Sequence, residues 1–210
     1  RLHRCYFRFY FFEPLNYCTH MFIVKNKYFL IIENIKDIDL KNIKIRNKFY
    51  IIYRNNKKIN DLVDLFRFRQ ICKLRAIKFI IANDIKLAIL LKSDGIYLSS
   101  YNKKLKFLNF KKFNFEIIGS AHCFKEISDK IRQGCSSILL SKLFLVDYNK
   151  SSPYMGVVKF NNYTKFSKNL IPLGGIKNQN LNCLNIVSCS GFALLSEIKK
   201  KPANIINRLF

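Results

Sequence analysis

The sequence predicts an α/β protein built as one small, single-domain (β/α)8 TIM barrel. Eight short runs rich in β-branched and aromatic residues recur along the chain, and each is almost continuously apolar, as expected of strands in a parallel sheet covered on both faces. Amphipathic stretches separate the runs, whose starts lie mostly about 20 to 30 residues apart, the length of a strand, a crossover helix and two loops. The count of eight favours closure into a barrel, and an open doubly wound sheet is the alternative.

The predicted elements alternate from residue 28 onward. One predicted helix, 123–133, places Phe124, Ile127 and Ile131 on one face, and another, 84–92, is almost wholly apolar and is expected to pack closely against the sheet. The predicted strands are 28–32, 49–53, 79–82, 95–98, 116–119, 137–140, 170–173 and 191–194, and the helices between them include 59–73, 84–92, 123–133 and 178–187.

Glycines stand at three of the predicted junctions between a helix and the next strand. Gly95, Gly134 and Gly191 each stand just past a predicted helix or helical stretch. Because glycine adopts the left-handed conformation without a steric penalty, we expect all three to end a helix and turn the chain into the following strand.

The charge is extreme for a chain of 210 residues, with 38 Lys+Arg against 13 Asp+Glu and a formal net charge of +25. Half of the residues are hydrophobic, which excludes the disordered class and allows a buried core. The charge invites a nucleic-acid partner. Lysine, asparagine and isoleucine dominate the whole chain, however, and the lysines are scattered rather than clustered. We therefore expect no nucleic-acid partner and keep a basic nucleic-acid-binding protein as a distant alternative.

The N-terminal residues and the cysteines indicate where the domain begins and in which compartment it lies. Residues 1–20 are basic and aromatic and precede the first alternating pattern, so we interpret them as a non-native or disordered extension, with a signal or transit peptide as the alternative and the barrel over 21–210. The seven cysteines are odd in number and lack metal-site spacing, which favours a reducing, cytoplasmic location. No apolar run is long enough to predict a membrane span. The oligomeric state stays open.

The functional residues of such a barrel are expected in the loops after the strands. The polar residues there bring cations, amides and hydroxyls with few carboxylates. They are Arg54, Asn55, Asn56, Asn83, Asp84, Ser99, Ser100, Asn102, Ser120, His122, Ser141, Lys142, Gly174, Gly175, Ser196 and Glu197.

A phosphate site is predicted after the last two strands. Gly174 and Gly175 follow the seventh strand, where paired glycines let backbone amides approach an anion. Leu195 and Ser196 follow the eighth strand and add further N–H groups. The alternative is that the two glycines only make a tight turn. The pairing of the two loops favours a phosphorylated small-molecule substrate.

Other candidates lie elsewhere around the mouth. Arg54 could bind a diphosphate through a bidentate contact, with Lys57 on the loop that follows. His122 is a candidate general acid or base, and the alternative is a structural histidine.

The ordered motifs resemble the thiamine phosphate synthase family, which includes the thiazole tautomerases. The resemblance covers about residues 28 to 200. Its motifs are Ile80-Ile81-Ala82-Asn83-Asp84 with Leu87-Ala88, Ser93-Asp94-Gly95-Ile96-Tyr97-Leu98, Ile117-Ile118-Gly119-Ser120-Ala121-His122, Leu173-Gly174-Gly175-Ile176 and Gly191-Phe192-Ala193-Leu194-Leu195-Ser196.

The resemblance implies an enzyme of thiamine biosynthesis that joins a hydroxymethylpyrimidine diphosphate to a thiazole phosphate and displaces diphosphate with the help of Mg2+. It implies that Arg54 and Ser120 contact the diphosphate or the pyrimidine. It also implies that Gly174, Gly175 and Ser196 hold the thiazole phosphate. The chemistry is dissociative, so neutralisation of the departing diphosphate by cations is its main requirement. Lys57, Lys142 and Lys150 are the further candidates for that charge.

The sequence departs from the family pattern at the diphosphate and metal end. Ile52 replaces a glutamine and Asn56 replaces a lysine after the second strand. Asn83 and Asn102 align with the two metal-binding aspartates, and Asp84 takes the first of these positions only if the alignment slides by one residue. Of the family's Thr-x-Thr-Lys loop, only the cation at Lys150 is preserved.

These departures predict a degenerate metal site, because an amide ligand brings no charge to Mg2+. Three outcomes fit them: a diverged synthase, a metal-independent tautomerase that uses His122, or a barrel whose activity has shifted.

Overall fold

The structure is a computed structural model that describes residues 25–43, 47–55, 62–105, 107, 109, 115–147, 149 and 151–200. The predicted extension 1–20 and the predicted site residues Lys57 and Lys150 lie outside these ranges. Within them, no helix is both long enough and apolar enough to cross a membrane. The five cysteines described, Cys72, Cys123, Cys135, Cys183 and Cys189, are free thiols.

The eight strands form one closed parallel barrel in sequence order, which confirms the predicted fold class. Closure comes from pairing of the first and last strands, with Lys27 beside Gly191 and Leu30 beside Leu194. The strands are β1 Lys27–Ile32, β2 Phe49–Tyr53, β3 Lys78–Ala82, β4 Gly95–Leu98, β5 Glu116–Ala121, β6 Ser137–Ser141, β7 Leu170–Leu173 and β8 Gly191–Leu194.

Helices cover the outside of the barrel. The α-helices are α1 Leu62–Leu74, α2 Ile85–Leu90, α3 Phe124–Arg132, α4 Gly156–Thr164 and α5 Ser196–Lys200, and 3-10 turns span Ile35–Asp37, Leu40–Asn42 and Asn178–Ile186. The last of these occupies the predicted helix 178–187 and has 3-10 geometry. Its sequence is rich in asparagine, whose side chain competes for backbone hydrogen bonds. Asn180 shows this competition, because its side chain accepts from Lys177 N and donates to Gly175 O.

Two apolar layers build the core, because successive side chains of a strand point to opposite faces. The outward side chains pack under the helices. The inward side chains fill the lumen and support the floor of the mouth. They are Phe29, Ile31, Tyr50, Ile52, Ile80, Tyr97, Ile118, Leu139, Ile171 and Ala193.

The buried faces of two helices differ from the prediction. On α2, Ile89 and Leu90 are 58% and 51% exposed, so the apolar segment packs through Leu87, Ala88 and the following Leu91, with Ile85 partly buried. A helix of fewer than two turns can turn only one narrow side towards the sheet. On α3, the buried side chains are Ile127 and Lys130, whereas the predicted Phe124 and Ile131 are exposed.

Two of the three predicted glycine caps are wrong. Gly134 does adopt the left-handed conformation, with φ 75°. Gly95 and Gly191 instead begin strands, and a Cβ on them would lie 2.1 Å from Glu116 O and 2.0 Å from Lys27 O respectively. These two glycines are needed because the neighbouring strand backbone approaches so closely.

Candidate active site

A cavity of about 480 Å³ opens at the C-terminal end of the barrel. Its volume lies in the range of small-molecule sites. Loops after β2 and after β4 to β8 contribute to its wall. The lining residues are Arg54, Tyr97, Ser99, Ser100, Tyr101, Ser120, His122, Ser141, Val146, Asp147, Leu173, Gly174, Gly175, Ile176, Lys177, Ala193, Leu194, Leu195, Ser196 and Glu197.

Three side chains meet at the floor of this cavity. Ser120 at the end of β5 is buried, and Tyr97 of β4 points into the lumen next to it. Burial raises the pKa of Tyr97, and hydrogen bonds from Ser120 and Arg54 offset part of that rise. Sequence reasoning missed Tyr97, although the two-residue alternation along β4 separates it from the outward Ile96 and Leu98.

Arg54 follows β2 at the edge of the lumen. Its backbone N–H donates to Ile32 O at 2.8 Å, which continues the β1–β2 ladder. Its guanidinium lies 3.7 Å from a carboxylate oxygen of Glu33, at the outer limit of an ion pair. The Nε atom is buried and has no hydrogen-bond partner among the residues described. A buried guanidinium N–H without an acceptor is costly. The side chain as a whole is 33% exposed and lines the cavity, where its other N–H groups can meet an anion.

Gly174 and Gly175 form the wall after β7, both in left-handed conformations with φ 91° and 70°. A Cβ on Gly175 would meet backbone atoms of Phe144 and Leu145 at 2.5 Å. Gly174 O accepts from Phe144 N at 3.0 Å. Because the C=O and N–H of a trans peptide point in opposite directions, the N–H of Gly175 points away from that neighbouring loop.

The predicted residues of the last loop and of β5 also reach the cavity. Leu195 and Ser196 line it directly after β8. His122 lines it as an exposed side chain, and its backbone N–H donates to Glu126 Oε2 at 2.6 Å. That bond orders the start of α3 and leaves the imidazole at the mouth.

The cations differ from those predicted. Lys142 is not among the lining residues, and its ammonium donates to Ser152 Oγ at 2.7 Å. Lys177, which sequence reasoning missed, lines the cavity and forms an ion pair with Asp147. Two carboxylates, Asp147 and Glu197, therefore stand beside two permanent cations, Arg54 and Lys177, in the described cavity wall. The mouth is closer to charge balance than the sequence suggested.

The three predicted metal ligands are each held by a hydrogen bond outside the cavity lining. Asp84 Oδ1 caps α2 by accepting from Leu87 N at 3.0 Å. Asn83 Oδ1 accepts from the backbone and hydroxyl of Ser99 at 3.1 and 2.9 Å. Asn102 Oδ1 accepts from Lys104 N at 3.2 Å in a local turn.

Comparison with known proteins assigns the chain to a family. A family model described as thiamine monophosphate synthase matches residues 18–198, most of the chain. The chain belongs to the thiamine monophosphate synthase family. A curated relative, the thiamine-phosphate synthase of Prochlorococcus marinus, is 24% identical over 181 residues, which cover 85% of this chain and 50% of that protein. The chain thus spans about half the length of this relative.

Solved structures show the same fold. The thiamine phosphate pyrophosphorylase from Pyrococcus furiosus superposes with a TM-score of 0.65 at 15% identity, covering 89% of this chain and 98% of that chain. The phosphoribosyl anthranilate isomerase from Thermotoga maritima gives a TM-score of 0.61 at 12% identity, covering 84% and 91%. At these identities the similarity establishes the barrel alone.

The described part of this thiamine monophosphate synthase family member does not fit the Mg2+ that the resemblance implies. Mg2+ requires oxygen ligands in near-octahedral geometry, commonly including one or two carboxylates. Asp84 is the only carboxylate among the predicted ligands, and it serves as a helix cap. No group of three His, Cys, Asp or Glu side chains suited to a metal occurs within the residues described.

Proposed function

We propose that this chain is a thiamine phosphate synthase-like transferase that couples a hydroxymethylpyrimidine diphosphate to a thiazole phosphate. The observation that carries the proposal is that Arg54, whose side chain is 33% exposed, lines the same described cavity as the loops after β7 and β8. The cavity wall therefore contains a guanidinium and, after β7 and β8, loops whose backbone amides can bind an anion.

The diphosphate end of the substrate is assigned to the floor and to the β2 side. Arg54 supplies a permanent charge that can bind two oxygens of the diphosphate. Ser120 and Tyr97 supply hydroxyl groups beside it. In the reaction, the bond between the pyrimidine methylene carbon and a diphosphate oxygen breaks, and the electron pair leaves with the diphosphate. The thiazole nitrogen then forms a bond to the same carbon.

The thiazole phosphate is assigned to the loops after β7 and β8. The carbonyls of Leu173 and Gly174 accept from Leu143 N and Phe144 N, so the amides of the same two peptide units point away from that loop. Leu195 and Ser196 complete this side of the wall. Backbone amides in such turns bind phosphate without a charged side chain.

Neutralisation of the diphosphate is assigned to the protein's own groups. Arg54 is the cavity cation that we assign to this role, since Lys177 is paired with Asp147, and Lys57, Lys142 and Lys150 remain predictions for it. No step is assigned to Mg2+, because the described donor set does not fit that ion. Preorganised donors aimed at a departing anion commonly supply a large part of catalysis.

A metal-independent thiazole tautomerase is the second candidate. His122 lines the cavity, whereas Asn83, Asp84 and Asn102 lie outside its lining. In a tautomerase, His122 would move a proton between two positions of the bound thiazole phosphate, with no diphosphate to neutralise.

The deciding experiment supplies both substrates to the purified protein, with Mg2+ and separately with a chelator, and measures thiamine phosphate by chromatography. We expect product that depends on Arg54 and is lost in Arg54→Met but not in Arg67→Met, whose residue lies on the exposed face of α1. If no thiamine phosphate forms while the thiazole tautomer converts, the synthase proposal fails and the tautomerase replaces it. If neither reaction occurs, both fail.

A further inference from the structure

A lysine is completely buried on the helix that follows β5. Lys130 of α3 has 0% of its surface exposed. Its ammonium donates to the backbone oxygens of Ser99 and Asn102, both at 2.7 Å, and to Gln133 Oε1 at 2.9 Å. Lysines are almost never fully buried unless their charge is compensated, so the buried ammonium depends on these three acceptors.

Gln133 extends the same contact. It is 1% exposed, and its amide nitrogen donates to the backbone oxygens of Asn102 and Lys104, both at 2.9 Å. Together, Lys130 and Gln133 therefore bind three carbonyl groups of the segment 99–104. We refer to these two side chains as the α3 clamp.

The barrel backbone is adapted to the clamp. A Cβ on Gly119 of β5 would lie 2.8 Å from Lys130 Cδ and 2.9 Å from Lys130 Cγ. Any larger residue at 119 would displace the aliphatic stem of the lysine. The stem crosses β5 at the one strand position where no side chain blocks it.

The clamped segment belongs to the wall of the cavity. Ser99, Ser100 and Tyr101 line the cavity on the β4 side, facing the loop of β8 in the closed barrel. From the β3 side, Asn83 accepts from Ser99 N and Oγ and donates to the Tyr101 hydroxyl at 3.4 Å. The position of this segment therefore sets the width of the mouth.

We propose that Lys130 is a positioning residue of the active site, which acts with Gln133 to hold the segment 99–104 as a fixed wall of the substrate cavity. Lys130 does not itself line the cavity. It acts through Ser99, Ser100 and Tyr101, and it does so with protein hydrogen bonds rather than with a divalent cation. The effect of the clamp on catalysis rests on the proposed transferase function, whereas its effect on the segment does not.

The test compares Lys130→Met and Gln133→Leu with Ile127→Ala. Ile127 is a buried α3 residue that packs in the core, so its truncation lowers stability without removing a bond to the segment. Lys125→Met, on the exposed surface of the same helix, is the charge control. Amide hydrogen exchange of 99–104 is followed by mass spectrometry, with Mg2+ and with a chelator, well below each variant's unfolding temperature.

Exchange in 99–104 should rise by about tenfold or more in Lys130→Met and Gln133→Leu, as expected when charge-assisted or buried hydrogen bonds are lost. It should stay at the wild-type level in Ile127→Ala and Lys125→Met, and Mg2+ should not change it in the wild-type protein. Equal exchange in all variants would overturn the proposal. Gln133→Leu keeps the test decisive if Lys130→Met does not fold.

Steady-state kinetics connect the clamp with function. Clamp variants should raise KM by about tenfold with a smaller change in kcat, because a looser wall weakens substrate binding before it weakens the chemistry. A change in kcat alone would contradict positioning by the clamp. If the wild-type protein makes no thiamine phosphate while exchange responds as expected, the transferase proposal fails and the clamp stands.

Discussion

The two sides of the barrel mouth differ in how far their polar groups are already engaged by the protein. On the β7 and β8 side, Gly174 and Gly175 have left-handed conformations that turn peptide amides away from a neighbouring loop. On the β3 and β4 side, Asn83, Asp84 and Asn102 occupy the expected positions, but hydrogen bonds within the protein engage all three. A phosphate site made of backbone depends on conformation, whereas a metal site depends on unengaged charged oxygens.

The largest expected effect is on the group that links the two sides. Arg54→Met should lower kcat/KM for the coupling reaction by about a hundredfold or more, because a preorganised cation is lost from the departing diphosphate. Steady-state assays with Arg67→Met as the matched control measure this. A loss of less than threefold would show that diphosphate binding lies on the other side of the mouth.

Gly175→Ala should damage the β7 side. The new Cβ would meet backbone atoms of Phe144 and Leu145 at 2.5 Å, and the residue would keep φ 70°. Urea unfolding should show a loss of about 2 kcal/mol or more. Gly156→Ala is the matched control, since φ is 73° there and no atom lies within 4 Å of the new Cβ. It should cost only about 1 kcal/mol. Equal losses would mean that backbone crowding at Gly175 is unimportant.

The reactivity of the Cys135 thiol reports how tightly the residues behind the β4 side of the mouth are packed. Burial raises the pKa of Cys135, which stands beside Lys130 and Gly119, to about 12. Since only the thiolate reacts, iodoacetamide at pH 8 should alkylate Cys135 at least about tenfold more slowly than the exposed Cys123. Peptide mapping over time gives both rates. Comparable rates would indicate that this side opens readily.

The smallest expected effect concerns Asp84. Asp84→Ala should cost about 1 kcal/mol of stability, because α2 loses its N-cap, and Asp84→Ser should restore most of it. Neither variant should change the response of the activity to Mg2+. If Asp84→Ser keeps the stability but loses an Mg2+-dependent rate, the carboxylate binds the metal after all.

Much of the fold follows from local pattern. The bounds of β2, β4, β7 and β8 agree with the sequence prediction to the residue, because a buried strand between polar loops is a continuous apolar run. The position of the mouth follows as well, since parallel strands place their C-terminal ends together. The local pattern did not predict which residues of the short α2 are buried or what Gly95 and Gly191 do. These features depend on how closely a neighbouring element approaches.

The functional site likewise contains residues that the sequence predicted and residues that it did not. Arg54, Ser120, His122, Gly174, Gly175, Leu195 and Ser196 line the cavity as expected from their order along the chain. Lys130 could not be found from its position, because a lysine on an amphipathic helix is typically solvated. Its burial depends on Gly119, 11 positions earlier, and on a loop about 30 residues earlier, and neither is visible in a local window.

The sequence by itself determined the alternation of strands and helices, the family and many of the residues around the mouth, since apolar periodicity and motif order are properties of a linear chain. Only the tertiary structure decided which polar groups are engaged. Asp84 is a cap, Asn83 and Lys130 bind the same loop, and Arg54 keeps a buried N–H without a partner among the residues described. A hydrogen bond between distant segments forms only when its donor–acceptor distance is correct to within a few tenths of an ångström. The packed barrel sets that distance, and residue order does not.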